Sequence, residues 1–444
     1  MLIFKKRKMK KIILLLAIVS FITSCEDLEQ VPSNIANSDS LTDFEGVLNA
    51  AYYYQLGSVT PMAVMGDFRA DNALMIEEPY PSFDRFNSDL LDMEDQFFEP
   101  FYIALYRSIL SANNVIENST STTDVGEAKF IRALSYFKLV RVFGDVTVNL
   151  SSGNLSLDPT RQPAAEVYNN VIIPDLQDAI TALDNSRLSS GRATQIAAQG
   201  LLGKVYMQIS NFSSAESHLA DVVNGAAAAG VSLQPNFADI FGDANDLNPE
   251  ILFATQVSSS IPDEYGFTEF TGWYIGNDSK SFEPLDLDLV TAFDAAGDVT
   301  RKALTVDEVG IRGIKYLSEN PDQDWIELRL ADVILLYAEA LNENTNADGS
   351  QSAAILGLLD NIRTRAGLAT LSGTANTQME VRQAIADERR LELAFEGHRW
   401  FDLVRTGTVD EEMNETINPN YHVFPIPVSE ILASDGVISQ NPGY

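Results

Sequence analysis

The run Asp387 to Gly407, DERRLELAFEGHRWFDLVRTG, carries ten Asp, Glu, Arg and His side chains in 21 residues, acids and bases intermixed. Glu388, Glu392 and Glu396 recur every four residues, so on a helix the three carboxylates stand one above another, with Arg389, Arg390 and Arg399 within reach. Such a row could hold or move a proton. Like charges at that spacing repel, however, unless guanidinium groups bind them in pairs, so ion pairing between helices explains the run better than catalysis. With 63 Asp and Glu in the chain, acidic pairs arise by chance and nominate no glycosidase acid and nucleophile.

Other reactive groups are sparse. His218, His398 and His422 are isolated in sequence and read as structural or surface side chains, leaving open a metal site assembled from distant positions. Asn344, Asn346, Asp348 and Gly349 imitate the first half of an EF-hand loop. The first position lacks a carboxylate and the twelfth is Ile355, so the segment reads as a turn between helices. The sequence has no G-x-G-x-x-G after a strand, no G-x-x-x-x-G-K-[ST], no H-E-x-x-H and no G-x-S-x-G. An enzyme is not expected, and neither is a cofactor.

Rings in two long loops suggest binding instead. Sugars pack C–H faces on aromatic rings while their hydroxyls seek polar partners at the rim. Trp273 and Tyr274, followed by Asn277, Asp278 and Lys280, fit that description, and Tyr80 and Phe83 with Asp84, Arg85 and Asn87 form a second edge. Trp325 and Trp400 sit on helical segments and are assigned to packing.

The elements that must carry these residues are mostly helices. Leu328, Ala331, Leu335, Ala338 and Leu341 recur at steps of three and four, predicting a helix over Trp325 to Asn342. A polar turn follows, then a second helix with Ile355, Leu358, Leu359 and Ile362 that stops at Gly367, and a third from Glu380 to about Glu396. Further helices are predicted over Leu41 to Leu56, where the tyrosines are read as packed, and over Glu94 to Ile116, Asp124 to Phe143 and Pro163 to Asp184. Leu202-Gly203, Tyr206, Ala215 and Leu219 fall at the offsets of a 34-residue tetratricopeptide unit. About four helical hairpins would stack into a continuous core. Gly57 to Asp92 and Gly266 to Phe282 read as loops, Ile251 to Val257 as a short strand, Leu287 to Phe293 as a short helix, and Arg301 to Leu317 as a hairpin around Gly310 and Gly313.

Four blocks, WIELRLADVILLYAEALNE, LDNIRTRAGL, DERRLELAFEGHRWFDLVRTG and VFPIPVSEI with QNPGY, resemble the SusD/RagB family of Bacteroidetes outer-membrane lipoproteins. Asp298 and Arg301 resemble a further element of that family. The resemblance implies a mainly α fold, with tetratricopeptide-like hairpins packed against an irregular, loop-rich subdomain containing a few short strands. It assigns the acid-arginine run to the scaffold. It also implies a nutrient-binding role beside a SusC-type TonB-dependent transporter, with a polysaccharide or oligosaccharide as ligand. A surface scaffold or peptide-binding lipoprotein of the RagB type is the alternative. Some relatives bind calcium, but nothing in the sequence assigns ligands for it.

The amino terminus fits that picture. Lys5, Lys6, Arg7, Lys8, Lys10 and Lys11 precede an apolar stretch, Ile12 to Ile22, too short to span a bilayer and suited to a signal peptide over residues 1–24. Ile22-Thr23-Ser24-Cys25 resembles a lipobox, which makes Cys25, the only cysteine, the expected lipidation site. The acids Glu26, Asp27 and Glu29 resemble the tract that sends such lipoproteins to the cell surface. Residues 25–40 are expected to be a tether, and 41–444 one domain with repeats over 94–230 and 324–407 and loop-rich insertions over 57–93 and 231–323. The formal net charge is −33, and loss of the leader removes only bases, so nucleic acid is excluded as a partner.

Overall fold

The computed structural model describes residues 44–153, 159–276, 283–317 and 322–444. The signal, lipobox, Cys25 and tether, and the polar residues Asn277, Asp278 and Lys280, lie outside them. Phe44–Tyr444 forms one compact unit.

The helical pattern in the sequence produces a stack. Helix α1 (Glu45–Gln55) is followed by α2 (Val59–Asp67), α3 (Glu99–Asn118), α4 (Thr122–Phe143), α5 (Ile173–Ala182), α6 (Gln195–Gln208) and α7 (Phe212–Gly225). The second half adds α8 (Phe270–Ile275), α9 (Leu287–Ala296), α10 (Val299–Thr305), α11 (Leu330–Thr345), α12 (Ser352–Arg365), α13 (Gln378–Leu393) and α14 (Arg399–Thr406). From α3 to α7 each helix packs on the next; α1 lies against α3, and α11 closes on α7, α12 and α13.

Local chemistry sets the ends of these helices. Ser121, Thr194 and Asn211 cap α4, α6 and α7, their side chains accepting from the backbone N–H three residues on. Thr377 and Glu380 close a reciprocal capping box on α13. Close approach within the α6–α7 pair depends on Gly203: a Cβ there would stand 2.5 Å from Leu219 Cδ2. This is the small position that the tetratricopeptide spacing marks.

Strands are few. Short pairs form between β1 (Val146–Thr147) and β2 (Arg161–Gln162), and between β4 (Val306–Asp307) and β5 (Arg312–Gly313), the hairpin expected around Gly310. The main pair is β3 (Ile251–Thr255) with β6 (Trp325–Arg329), antiparallel, with Ala254 opposite Ile326.

Several elements differ from the sequence expectation. Trp325–Arg329 is a strand and the helix starts at Leu330, because β3 offers these residues a buried ladder that helical spacing cannot reveal. Gly57 to Asp92 contains α2. Every residue of α2 is buried, so it lacks the polar face by which an amphipathic helix is recognised. Phe270–Ile275, read as loop, is the short helix α8. Helix α13 ends at Leu393, before Phe395 at φ 64° and Gly397 at φ 70°. Helix α14 turns away to pack on α2, where a Cβ on Gly66 would meet the Gly397 carbonyl oxygen at 2.3 Å. The carboxy-terminal residues are packed: Asn441 is buried and the Tyr444 hydroxyl donates to the Val423 carbonyl at 3.0 Å.

Candidate functional site

The carboxylate row forms a buried charge knot. Arg301 Nη1 donates to Glu388 at 2.7 Å and to Glu392 at 2.8 Å. Arg329 reaches Glu392 at 2.7 Å, Glu396 at 2.7 Å and Glu250 at 2.9 Å. Arg363, Arg365 and Lys315 complete the pairing with Glu388, Glu250 and Glu396. The partners come from other elements, not from the run itself: Arg389 binds Asp332 and Asp402, while Arg390 and Arg399 bind Asp71. Burial pushes the Glu392 carboxyl up, but Arg365, Arg329 and Arg301 outweigh it and hold it at about 2. A carboxylate so committed does not exchange a proton at neutral pH, so the row serves as scaffold.

The histidines stay apart. Burial, with Lys204 Nζ 3.3 Å from Nδ1, drives His398 down to about 3. His218 stacks on Tyr206 and His422 sits edge-on to Trp400. Among the described residues no group of three His, Cys, Asp or Glu is placed to hold a metal. Asn346 Nδ2 is spent on Asn342 and Ser352, as suits a turn. At the start of β6, burial raises Asp324 to about 7 and Asp246 to about 6, with Asp246 Oδ1 accepting from the Asp324 N–H.

Three of the four rings expected to meet ligand lie in the core. Trp273 is 0% exposed, wedged against Tyr80 at 5.0 Å and Phe97 at 5.4 Å between ring centroids. Tyr274 stacks on Phe68 and donates its hydroxyl to Asp67 at 2.8 Å. Phe83 is enclosed by Phe97 and Phe98. Their segments are short helical turns that direct large rings inward, where ring burial outweighs exposure. Of the four expected rings only Tyr80 keeps access to solvent.

An accessible ring cluster occurs elsewhere, at the end of α1. Tyr53 has Tyr54 at 5.5 Å and Tyr265 at 6.1 Å. The Arg192 guanidinium lies 4.3 Å over the Tyr52 ring, and that of Arg107 lies 5.9 Å from Tyr54 while donating to the Tyr265 hydroxyl at 3.1 Å. Beside Tyr53 opens a cleft of about 280 Å³ with Asn49, Arg192, Gln256 and Ser258 in its wall. The floor is rigid. Tyr52 donates to the buried Glu127 at 2.7 Å, and the same carboxylate holds Arg192. Rings with polar rim groups on a fixed base can stack a sugar and bind its hydroxyls.

The sequence expectation that these tyrosines are packed holds for Tyr52, against Phe253, and in part for Tyr53, which packs on the core with one side while remaining half-buried. The available signal was the run itself: successive helical residues stand about 100° apart, so three consecutive tyrosines cannot all face the core. Tyr265 and Arg107 gave no such signal. A larger cavity of about 610 Å³ lies among α7, α11, α13 and α14, but its charges are committed, Arg382 to Glu343 and Arg405 to Glu339, and no tyrosine or tryptophan lines it.

Known proteins match this chain along most of its length. The profile of the SusD family matches residues 300–421, and one described as starch-binding associating with outer membrane matches residues 21–207. A SusD-like protein of Formosa agariphila is 27% identical over 99% of this chain and 100% of its own, and one of Bacteroides ovatus is 26% identical over 87% and 76%. Among solved structures, a laminarin-binding SusD-like protein superposes with a TM-score of 0.69 at 24% identity, covering 91% of this chain and 99% of its own. Surface glycan-binding protein A of Bacteroides fluxus superposes with a TM-score of 0.75 at 20% identity, covering 90% and 99%. The four sequence blocks, the helical stack and both profiles agree in marking the chain as similar to proteins of the SusD/RagB family.

Proposed function

We propose that this protein is a non-catalytic, lipid-anchored glycan-binding protein of the outer-membrane surface, which captures a polysaccharide or oligosaccharide and passes it to a SusC-type TonB-dependent transporter. The observation that carries the glycan reading is the accessible tyrosine cluster beside a polar-rimmed cleft. Stacking supplies affinity, rim hydrogen bonds supply orientation, and the preformed floor limits the ordering cost. Supporting it are relatives whose names record laminarin and surface-glycan binding. No helix among the described residues is long and apolar enough to cross a membrane. The anchor at Cys25 rests on the lipobox resemblance of Ile22-Thr23-Ser24-Cys25.

Affinity electrophoresis of the purified protein through gels containing polysaccharides tests the reading, with laminarin as the first probe. Retardation that is lost on Tyr53→Ala supports glycan capture at this cleft. Binding of peptides with no retardation by any glycan favours the RagB-type alternative, and release of sugars from a glycan favours an enzyme. Labelled palmitate incorporated at Cys25, and co-purification of a transporter from solubilised outer membranes, test the anchor and the partner.

A further inference from the structure

We infer that the cluster of Tyr53, Tyr54 and Tyr265 selects a glycan bearing acidic groups, carboxylate or sulfate, and that Arg107 is the residue that binds them. The inference rests on the glycan reading above and narrows its substrate class.

The argument starts from the charge inventory. The chain carries 63 acidic against 30 basic residues, so an exposed cation readily finds a carboxylate. Among the described residues four arginines are exposed: Arg85, Arg107, Arg187 and Arg382. Arg85 pairs with Glu78, Arg187 with Glu127 and Arg382 with Glu343. Among the described residues Arg107 has no ion-pair partner. Its hydrogen-bond partner is the neutral Tyr265 hydroxyl, and its guanidinium lies at the Tyr54 ring. Glu264 is the nearest acid acting on it, and that carboxylate is engaged by the Tyr53 hydroxyl.

Two contacts therefore hold this cation in place at the edge of the three-ring cluster, and most of its N–H donors remain open. A planar guanidinium held this way matches the oxygens of a carboxylate or sulfate in a two-pronged pair, which a neutral hydroxyl cannot reproduce. Arg192, in the wall of the neighbouring cleft, is a second positive group, although Glu127 already neutralises it. Arg107 stands outside that wall, and a sugar stacked on Tyr53 would reach it past Tyr54 or Tyr265. Because the net charge of −33 repels polyanions at long range, recognition of an acidic glycan requires such a local cation without an ion-pair partner.

The test measures Kd by calorimetry for three probes: alginate oligosaccharide (carboxylate), a sulfated galactan oligosaccharide (sulfate) and laminarin oligosaccharide (neutral). Wild-type protein is expected to bind one of the acidic probes more tightly than laminarin. Arg107→Gln should weaken that binding about tenfold or more, with Arg107→Lys recovering part of it and thermal stability unchanged. Binding of laminarin alone, unaffected by Arg107→Gln, overturns the acidic class and leaves glycan capture standing. Binding of no probe by the wild-type protein, at a cleft that Tyr53→Ala does not alter, overturns the glycan reading itself.

Discussion

Arg329 and Glu392 meet at 2.7 Å with 1% and 0% of their side chains exposed, joining the first residues after the loop-rich region to the carboxyl end of α13. Removing one member leaves the other charged in a site that water cannot reach. Glu392→Gln or Arg329→Met is expected to cost about 3–5 kcal/mol, read as a lower denaturant midpoint at unchanged slope. A cost below about 1 kcal/mol, the value of an exposed pair, would show that the knot is hydrated.

Trp273 and Tyr53 should separate stability from binding. Trp273→Ala empties a space among Tyr80 and Phe97 and is expected to lose about 3–5 kcal/mol. Tyr53→Ala removes a half-buried ring and should shift Tm by only a few degrees while abolishing retardation in glycan gels. The opposite pattern would return the ligand face to the Trp273 region.

Gly203 and Gly66 both sit against a neighbour, but of different kinds. The Cβ of Gly203→Ala meets the end of Leu219, which can rotate; that of Gly66→Ala meets the backbone of Gly397, which cannot. Both are expected to destabilise, Gly203→Ala by about 1–3 kcal/mol and Gly66→Ala by more. Parallel urea titrations decide the order.

The Asp324 and Asp246 carboxyls, raised by burial to about 7 and 6, hold protons more tightly in the folded chain than in the unfolded one. Their favourable contribution is complete below pH 4 and is lost as pH rises through 6 and 7. Asp324→Asn keeps an acceptor for the Val257 N–H and should raise Tm at pH 8 relative to wild type while changing little at pH 4. Glu392, held at about 2, acts in the other direction: its contribution is present above pH 4.5 and fades as pH falls toward 2. A difference in Tm between Asp324→Asn and wild type that does not change with pH would sink this assignment.

The helical stack was legible because amphipathic spacing and the Gly203 to Leu219 offsets are local properties of sequence. Three things were not. Helix α2 is buried all round and shows no periodicity, and β6 owes its form to β3, some seventy residues earlier. The third is the direction of each ring: Trp273 and Tyr53 look alike in sequence, and only the packing of Phe97 and Tyr80 over one and the openness beside the other distinguishes them. That the Glu388 to Glu396 row needed arginines was readable from its spacing. That they would be Arg301, Arg329, Arg363 and Arg365 was not, since they arrive from three separate elements, α10, β6 and α12.

That dispersal governs the order in which the molecule can assemble. As the exported chain emerges amino terminus first, Glu250 appears long before Arg329, and Arg329 before Glu392 and Glu396, so the early members must wait in water for the late segment. Amino-terminal helices can pair as they appear, but the centre of the molecule closes only when the late segment threads its carboxylates among the waiting guanidinium groups. A chain that has emerged only as far as the residues before Glu388 would hold a preformed half with an open, cationic seam.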